Sequence, residues 1–217
     1  SFNDEDDPEA TPSGHLVAMF LDVTGNGGAG SSDKESSGVY AERMVDLTAA
    51  NIDDNAGYGV FSRRGVSIHL NPNSFSGNGK MGIYSPYGGV YAWDAVLHAE
   101  NNGWQGIVTE RGSVAINWVA GKAAYPFTTS RVNGNGRTGI IVKHDKSYVY
   151  DDLVPDATGH LTAMFLEVSG NGSTGTQDSE KSGVYAEGKV ELSGTKANDN
   201  AGYGIYAWKD VGIHLQE

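Results

Sequence analysis

A short turn motif recurs seven times along this chain, and it constrains the fold more than any other feature. The motif is Asn-(Gly/Ala)-x-x-Gly, and it begins at Asn26, Asn55, Asn78, Asn102, Asn135, Asn171 and Asn200. In five cases Val or Ile follows the last glycine directly, and in the other two the insert SSDKESSG or TQDSEKSG comes first. Glycine adopts positive φ at little cost and asparagine tolerates it better than most residues. Each motif therefore predicts a tight turn that leads into a strand.

The spacing of these glycines is the spacing of a repeat protein. Gly38 and Gly59 are 21 residues apart, Gly59 and Gly82 are 23 apart, and Gly82 and Gly106 are 24 apart. Seven or eight residues after each glycine, a valine opens a second alternating run such as VSIHL or VEL. Alternation predicts short strands, and no segment shows a sustained helical period. Units of this length with strands and tight turns indicate a solenoid.

A longer repeat contains the short one. Shifting the chain by 145 residues aligns Gly14–Leu70 with Gly159–Leu215 without a gap, and 32 of those 57 positions are identical. The sequence therefore predicts an acidic N-terminal segment over residues 1–13, followed by one solenoid over 14–217. Within that solenoid, 14–158 forms a block and 159–217 a partial second copy.

The uninterrupted motif units resemble the repeat of right-handed parallel β-helix proteins, the architecture shared by pectin-lyase-like proteins and many surface adhesins. This resemblance implies an all-β chain, a right-handed parallel β-helix of about seven to eight coils of 21–24 residues with loop insertions. In such a fold the motif residues stack from coil to coil and their amides bond to one another. The predicted structural turn ladder consists of Asn55, Gly59, Asn78, Gly82, Asn102, Gly106, Asn135, Gly139, Asn200 and Gly204.

The residue after each Val or Ile is expected to point outward, because side chains alternate along a strand. Five of these outward residues are aromatic, namely Tyr40, Phe61, Tyr84, Tyr185 and Tyr206. An outward aromatic column is a candidate binding surface for sugar rings or for another chain. The alternative is a ladder of rings that a loop covers and that only stabilises the stack.

The two inserts carry weak candidates for a calcium site, because carboxylate oxygens on glycine-rich loops are ligands that calcium prefers. These candidates are Asp33 and Glu35 in the first insert, and Asp178 and Glu180 in the second. No other cofactor is predicted. The chain contains no cysteine, which excludes a disulfide framework and thiolate metal ligands.

Charge and hydropathy limit the partners. The formal net charge is -12, and nucleic acids and anionic membranes instead reward Lys and Arg. No apolar run approaches the roughly 20 residues of a membrane span. We therefore expect neither nucleic-acid binding nor membrane insertion. Expected partners are further copies of the chain, joined end to end or laterally, with polysaccharide as a further candidate.

The favoured hypothesis is a non-enzymatic structural or adhesive segment of an extracellular or cell-surface tandem-repeat protein that assembles into a rod or filament. One alternative is a polysaccharide lyase, hydrolase or epimerase on the same scaffold. Its cationic groups would come from Arg63, Arg64, Arg111, Arg137 and Lys143. A second alternative is a carbohydrate-binding module similar to a viral tailspike, which would be a trimer.

Overall fold

Three parallel β-sheets make up almost all of the regular structure of this protein. The structure is a computed structural model, and it describes residues 15–28, 32–70, 72–117, 129–144 and 159–214. The acidic segment 1–13 lies outside the described residues. Every strand pairing in the three sheets is parallel. In each sheet the strand order follows the chain order, so each coil of the chain adds its strand beside that of the previous coil.

Strands are numbered along the chain. The eight-stranded sheet contains β1 (Leu16–Met19), β3 (Val45–Thr48), β5 (Val66–His69), β8 (Val90–Trp93), β11 (Val114–Ile116), β14 (Leu161–Met164), β17 (Val190–Ser193) and β19 (Val211–His214). The seven-stranded sheet contains β2 (Val39–Ala41), β4 (Val60–Ser62), β7 (Ile83–Ser85), β10 (Ile107–Thr109), β13 (Ile140–Val142), β16 (Val184–Ala186) and β18 (Ile205–Ala207). The four-stranded sheet contains β6 (Asn73–Ser74), β9 (Leu97–His98), β12 (Ser130–Arg131) and β15 (Leu166–Glu167).

The core lies between the three sheets and is built from stacked apolar columns. The first residue of each strand in the seven-stranded sheet pairs in register with the next, so that Val39, Val60, Ile83, Ile107, Ile140 and Val184 form one buried column. The other two sheets supply similar buried positions, such as Leu47, Ile68, Phe75 and Leu97. The prediction of an all-β, solenoid-like chain with parallel strands is confirmed.

The 145-residue duplication is also a structural repeat. Strands β1 to β5 recur at the shifted positions as β14, β16, β17, β18 and β19, in the same order of sheets. We call two residues separated by this shift twins. Because twins occupy equivalent positions in different coils, they compare the same side chain in two surroundings.

Each insert forms one helical turn, α1 (Asp33–Ser36) and α2 (Asp178–Lys181). In α1, Ser32 and Glu35 form a capping box in which each side chain bonds to the backbone of the other residue. In α2 the residue before the helix is Gln177, and its side chain does not cap the helix. Both inserts lie at the same corner of the solenoid, between the asparagine motif and a strand of the seven-stranded sheet.

Candidate functional site

The asparagine motifs form a continuous hydrogen-bonded ladder along one corner of the solenoid. The Nδ2 atom of each asparagine donates to Oδ1 of the next, at 2.9–3.1 Å, through Asn26, Asn55, Asn78, Asn102, Asn135, Asn171 and Asn200. The backbone N–H of the same residue donates to the same oxygen, at 3.0 Å in the Asn55–Asn78 pair. A second Nδ2 bond runs to a main-chain oxygen, as from Asn78 to Ile52. The amides are thus satisfied inside the molecule, and their role is structural.

Close packing of the coils requires the glycine that closes the motif at Gly82. A Cβ on Gly82 would lie 2.7 Å from the carbonyl oxygen of Phe75 and 2.8 Å from that of Gly106. Both obstacles are main-chain atoms, which cannot move as a flexible side chain could. This contact explains why glycine recurs at the position without any involvement of a ligand.

Four aromatic rings pack together on the outer face of the seven-stranded sheet. Tyr40 and Phe61 are stacked with centroids 4.6 Å apart, and Tyr84 meets Phe61 edge-on at 5.4 Å. Tyr58, from the turn motif, lies 5.8 Å from Phe61 and 5.4 Å from Tyr84. Three members of the predicted aromatic column are therefore brought together, and their faces are largely occupied by one another.

The first insert covers part of this cluster. The Tyr58 hydroxyl donates to Asp33 of α1 at 3.2 Å, and Lys34 Nζ lies 5.2 Å from the centre of the Tyr40 ring. Burial and the Asp33 charge raise the pKa of Tyr58. Burial and the charge of Glu110 raise the pKa of Tyr84 to about 12. Both hydroxyls therefore stay protonated at neutral pH, and that of Tyr58 is the donor that joins the insert to the ring cluster.

The remaining members of the outer column form a second cluster. Tyr185 and Tyr206 are stacked at 5.3 Å, Tyr203 lies 5.3 Å from Tyr206, and Trp208 Nε1 donates to the Tyr185 hydroxyl at 2.9 Å. Between the two clusters the column contains the aliphatic residues Val108 and Ile141. The structure buries both, although alternation alone predicts that they face outward.

A chain of charge contacts links the two inserts across the ladder corner. Lys80 contacts Asp33 of α1, and its Nζ lies 5.2 Å from the Trp104 ring. Arg137 lies 5.1 Å from the same ring and pairs with Glu180 of α2 at 2.8 Å. Lys80, Trp104 and Arg137 belong to successive coils, since Trp104 N donates to the Lys80 carbonyl and Arg137 N to the Trp104 carbonyl. Trp104 thus joins two cations that each anchor one insert.

The cationic residues named for the enzymatic alternative divide into two groups. Arg63 and Arg111 lie 5.2 and 4.9 Å from the Tyr87 ring, so the fold brings them to one corner. Lys143 pairs with Glu110 at 3.5 Å. Arg137 instead belongs to the Trp104 contacts. Arg63 and Arg111 therefore bracket one aromatic ring, and Arg63 also pairs with Glu42 at 3.5 Å.

The calcium candidates have other partners in the described chain. Asp33 bonds to Tyr58 and Lys80, and Glu35 accepts from the backbone and hydroxyl of Ser32. Glu180 accepts from the backbone and hydroxyl of Thr176. These bonds lower the pKa of Glu35 and of Glu180, each with the backbone bond as the largest cause. Asp178 is exposed. Among the described residues, no group of three or more His, Asp or Glu side chains converges as a metal site would.

One exposed aromatic pair escaped the sequence reasoning. Tyr91 and Trp93 lie on β8 of the eight-stranded sheet, with ring centroids 6.0 Å apart and planes only 17° apart. The repeat pattern does not predict them, because they are two residues of one strand and have no aromatic counterparts in the adjacent coils. The alternation YAW on a predicted strand was the available signal.

Within the part of the chain that the structure describes, no helix has the length and apolarity needed to cross a membrane. Comparisons with known protein families, with curated proteins and with solved structures give no match to this chain.

Proposed function

We propose that this chain is a non-enzymatic structural or adhesive segment of an extracellular or cell-surface tandem-repeat protein. Its fold is a right-handed parallel β-helix of about seven to eight coils, related to the pectin-lyase-like architecture. Its coils stack on those of another copy, or of a neighbouring repeat, to form a rod. The inserts and the outer aromatic clusters are carried at regular intervals along that rod.

The observation that carries this proposal is the contrast between twins. Val66 and Ile68 of β5 are 1% and 0% exposed, whereas their twins Val211 and Ile213 of β19 are 46% and 69% exposed. The difference is the next coil, because β5 pairs with β8 on its far side and β19 is the last strand of its sheet. In β5 the next coil covers these apolar side chains, and in β19 the equivalent side chains are exposed.

The ring cluster gives an independent comparison. Tyr58 is 6% exposed and its twin Tyr203 is 49% exposed. Tyr58 is covered by Tyr84 and Lys80, which belong to the next coil. An added coil would therefore bury both the apolar end of the core and an aromatic ring, and apolar burial of this kind drives association.

Sedimentation velocity of the full chain over a hundredfold concentration series tests this proposal. We expect the weight-average mass to rise with concentration, and Ile213→Lys to suppress the rise because a buried charge at the contact is costly. Ile213→Val keeps the apolar surface and is the matched control. A chain that stays monomeric at every concentration would overturn the proposed self-association.

The enzymatic alternative is tested separately. Incubation with polyuronides, followed by the absorbance of unsaturated uronates and by reducing-end analysis, should show no turnover. Robust turnover that is lost in Arg63→Ala and Arg111→Ala variants would replace the structural proposal with the enzymatic one. A strictly trimeric species that binds carbohydrate would instead favour the tailspike-like alternative.

A further inference from the structure

Tyr185 and Tyr206 stack on each other on the outer face of the seven-stranded sheet. They are in-register neighbours on β16 and β18, and their ring centroids lie 5.3 Å apart with the planes only 3° from parallel. Because side chains at paired positions leave a parallel sheet on the same face, the two phenol rings lie side by side. We call Tyr185 and Tyr206 the phenol pair.

The twins of the phenol pair are Tyr40 and Phe61, which stack in the same way at 4.6 Å and 6°. Phe61 has no hydroxyl, so the duplicated stack contains two phenols only in the second copy. Strand β18 of that copy is the last strand of the seven-stranded sheet, and its Ile205 is only partly buried, whereas the twin Val60 is 0% exposed. The second phenol thus lies at an open edge of the sheet.

Solvent reaches the phenol pair more easily than another pair of tyrosines that links two coils. Tyr58 and Tyr84 have ring centroids 5.4 Å apart, but Tyr58 is 6% exposed and its hydroxyl donates to Asp33. Both rings of the phenol pair are partly exposed. Trp208, which donates to the Tyr185 hydroxyl at 2.9 Å, is 58% exposed. An oxidant in solution therefore has access to the phenol pair.

We propose that the phenol pair is a site of oxidative coupling, at which a peroxide-dependent one-electron oxidant joins Tyr185 and Tyr206 as dityrosine. The oxidant removes one electron from each phenol, and each hydroxyl proton passes to water. The two phenoxyl radicals form a C–C bond between ring carbons ortho to the oxygens. Each of these carbons then loses its hydrogen as a proton while the oxygen on the same ring gains one, which restores both phenols. Hydrogen peroxide takes up two electrons and two protons and becomes two water molecules, so the chain loses two hydrogen atoms.

Coupling requires the two rings to turn from a stacked to an edge-to-edge arrangement, and the position of β18 allows this motion. Strand β18 pairs with β16 on one side only, and terminal elements open more easily than internal ones. The new bond joins the last coil of this sheet to the coil before it. A chain without cysteine thereby gains a covalent link between coils, in the oxidising setting of the proposed extracellular location. The modification does not depend on association between copies.

Treatment of the dilute full chain with a haem peroxidase and hydrogen peroxide tests the proposal. Denaturing electrophoresis isolates the monomer band, which is then digested with trypsin. Trypsin cleaves after lysine, and so places Tyr185 in peptide 182–189 and Tyr206 in peptide 197–209. We expect these two peptides to appear joined, with dityrosine fluorescence and a mass two hydrogen atoms below their sum. In urea the yield should fall roughly tenfold or more, because the fold no longer holds the rings together.

Tyr185→Phe and Tyr206→Phe should each abolish the joined peptide, because each removes one phenol and keeps the ring. Tyr203→Phe is the matched control, since Tyr203 lies in the same tryptic peptide and its ring is also 5.3 Å from that of Tyr206. It should leave the joined peptide in place, and circular dichroism should show that all three variants fold.

The proposal is overturned if the wild-type monomer band lacks the joined peptide, or if the peptide persists in Tyr206→Phe. It is also overturned if the peptide disappears in Tyr203→Phe alone, or if it forms as abundantly in urea as in the folded chain. Coupling found only between chains would overturn it as well, and would leave the proposed self-association untouched.

Discussion

Asn102 lies in the middle of the buried ladder, and its side chain serves both adjacent coils. Its Oδ1 accepts from the backbone N and from Nδ2 of Asn78, and its own Nδ2 donates to Asn135. Asn102→Ala would leave two donors of Asn78 short of an acceptor in a buried site. Because a buried unsatisfied group costs about 1–3 kcal/mol, we expect the free energy of unfolding in urea to fall by about 3 kcal/mol.

Asn26→Ala is the control at the exposed end of the same ladder. The Asn26 side chain donates to Asn55 and, at 3.4 Å, to the Thr24 carbonyl, and the Asn55 oxygen keeps the bond from the Asn26 backbone N–H. The expected loss is below about 1 kcal/mol, the worth of one ordinary hydrogen bond. Equal losses in the two variants would show that the ladder does not stabilise the solenoid through its buried amides.

Gly82 gives a second prediction at this scale. Gly82→Ala would push a methyl group against two main-chain oxygens, so we expect it to destabilise the fold by about 3 kcal/mol, at the upper end for overpacking. Gly28→Ala is the control, because a Cβ there meets nothing within 4 Å. Thermal denaturation of both variants measures the difference, and a Gly82 variant as stable as the Gly28 variant would contradict the packing argument.

At the scale of elements, the docking of α2 should depend on pH through Glu180. Bonds from Thr176 and the charge of Arg137 lower the pKa of Glu180 in the folded chain. The unfolded chain therefore binds this proton more readily, and stability contributed at neutral pH is lost as the pH falls through the folded pKa. Glu180→Gln should reduce stability at pH 7 by no more than about 1 kcal/mol, since the pair is partly exposed. The difference from wild type should shrink as the pH falls through the folded pKa.

Asp178→Asn is the control for this pH dependence, because Asp178 lies on the same helix but is exposed. Urea unfolding at pH 7 and near pH 3 measures both variants. A difference between Glu180→Gln and wild type that persists in acid would mean that ionisation of Glu180 does not hold the insert in place.

The same elements show what the sequence could predict. Strands β2, β4, β7 and β10 were predictable because their Val or Ile follows a turn motif at regular spacing, and stacking repeats the same contact in every coil. The contacts of Lys80 and Arg137 with Trp104 were not predictable. Each of these residue types stands at that position of the turn motif in one coil only, and the three side chains meet only when the coils stack. The covering of Tyr40 and Tyr58 by α1 depends on the path of an insert, for which the repeat gives no template.

At the scale of the whole molecule, duplication supplies an internal control that single-copy proteins lack. Strands β5 and β19 have the sequences VSIH and VGIH, which differ at one residue, Ser67 against Gly212. Strand β5 is paired on both sides and β19 on one. Glycine in a strand costs only about 0.5–1 kcal/mol, so a larger difference in opening must come from the neighbouring coil.

Hydrogen exchange on the dilute chain should therefore protect the amides of β5 far more than those of β19, because opening a terminal coil breaks contacts on one side only. As protein concentration rises, protection of β19 should increase while that of β5 stays constant, since another coil would supply the neighbour that β8 supplies to β5. In Ile213→Lys the increase should disappear. Mass spectrometry of peptides that contain each strand measures both quantities. Protection of β19 that equals β5 at every dilution, or that never changes with concentration, would contradict stacking between copies on β19.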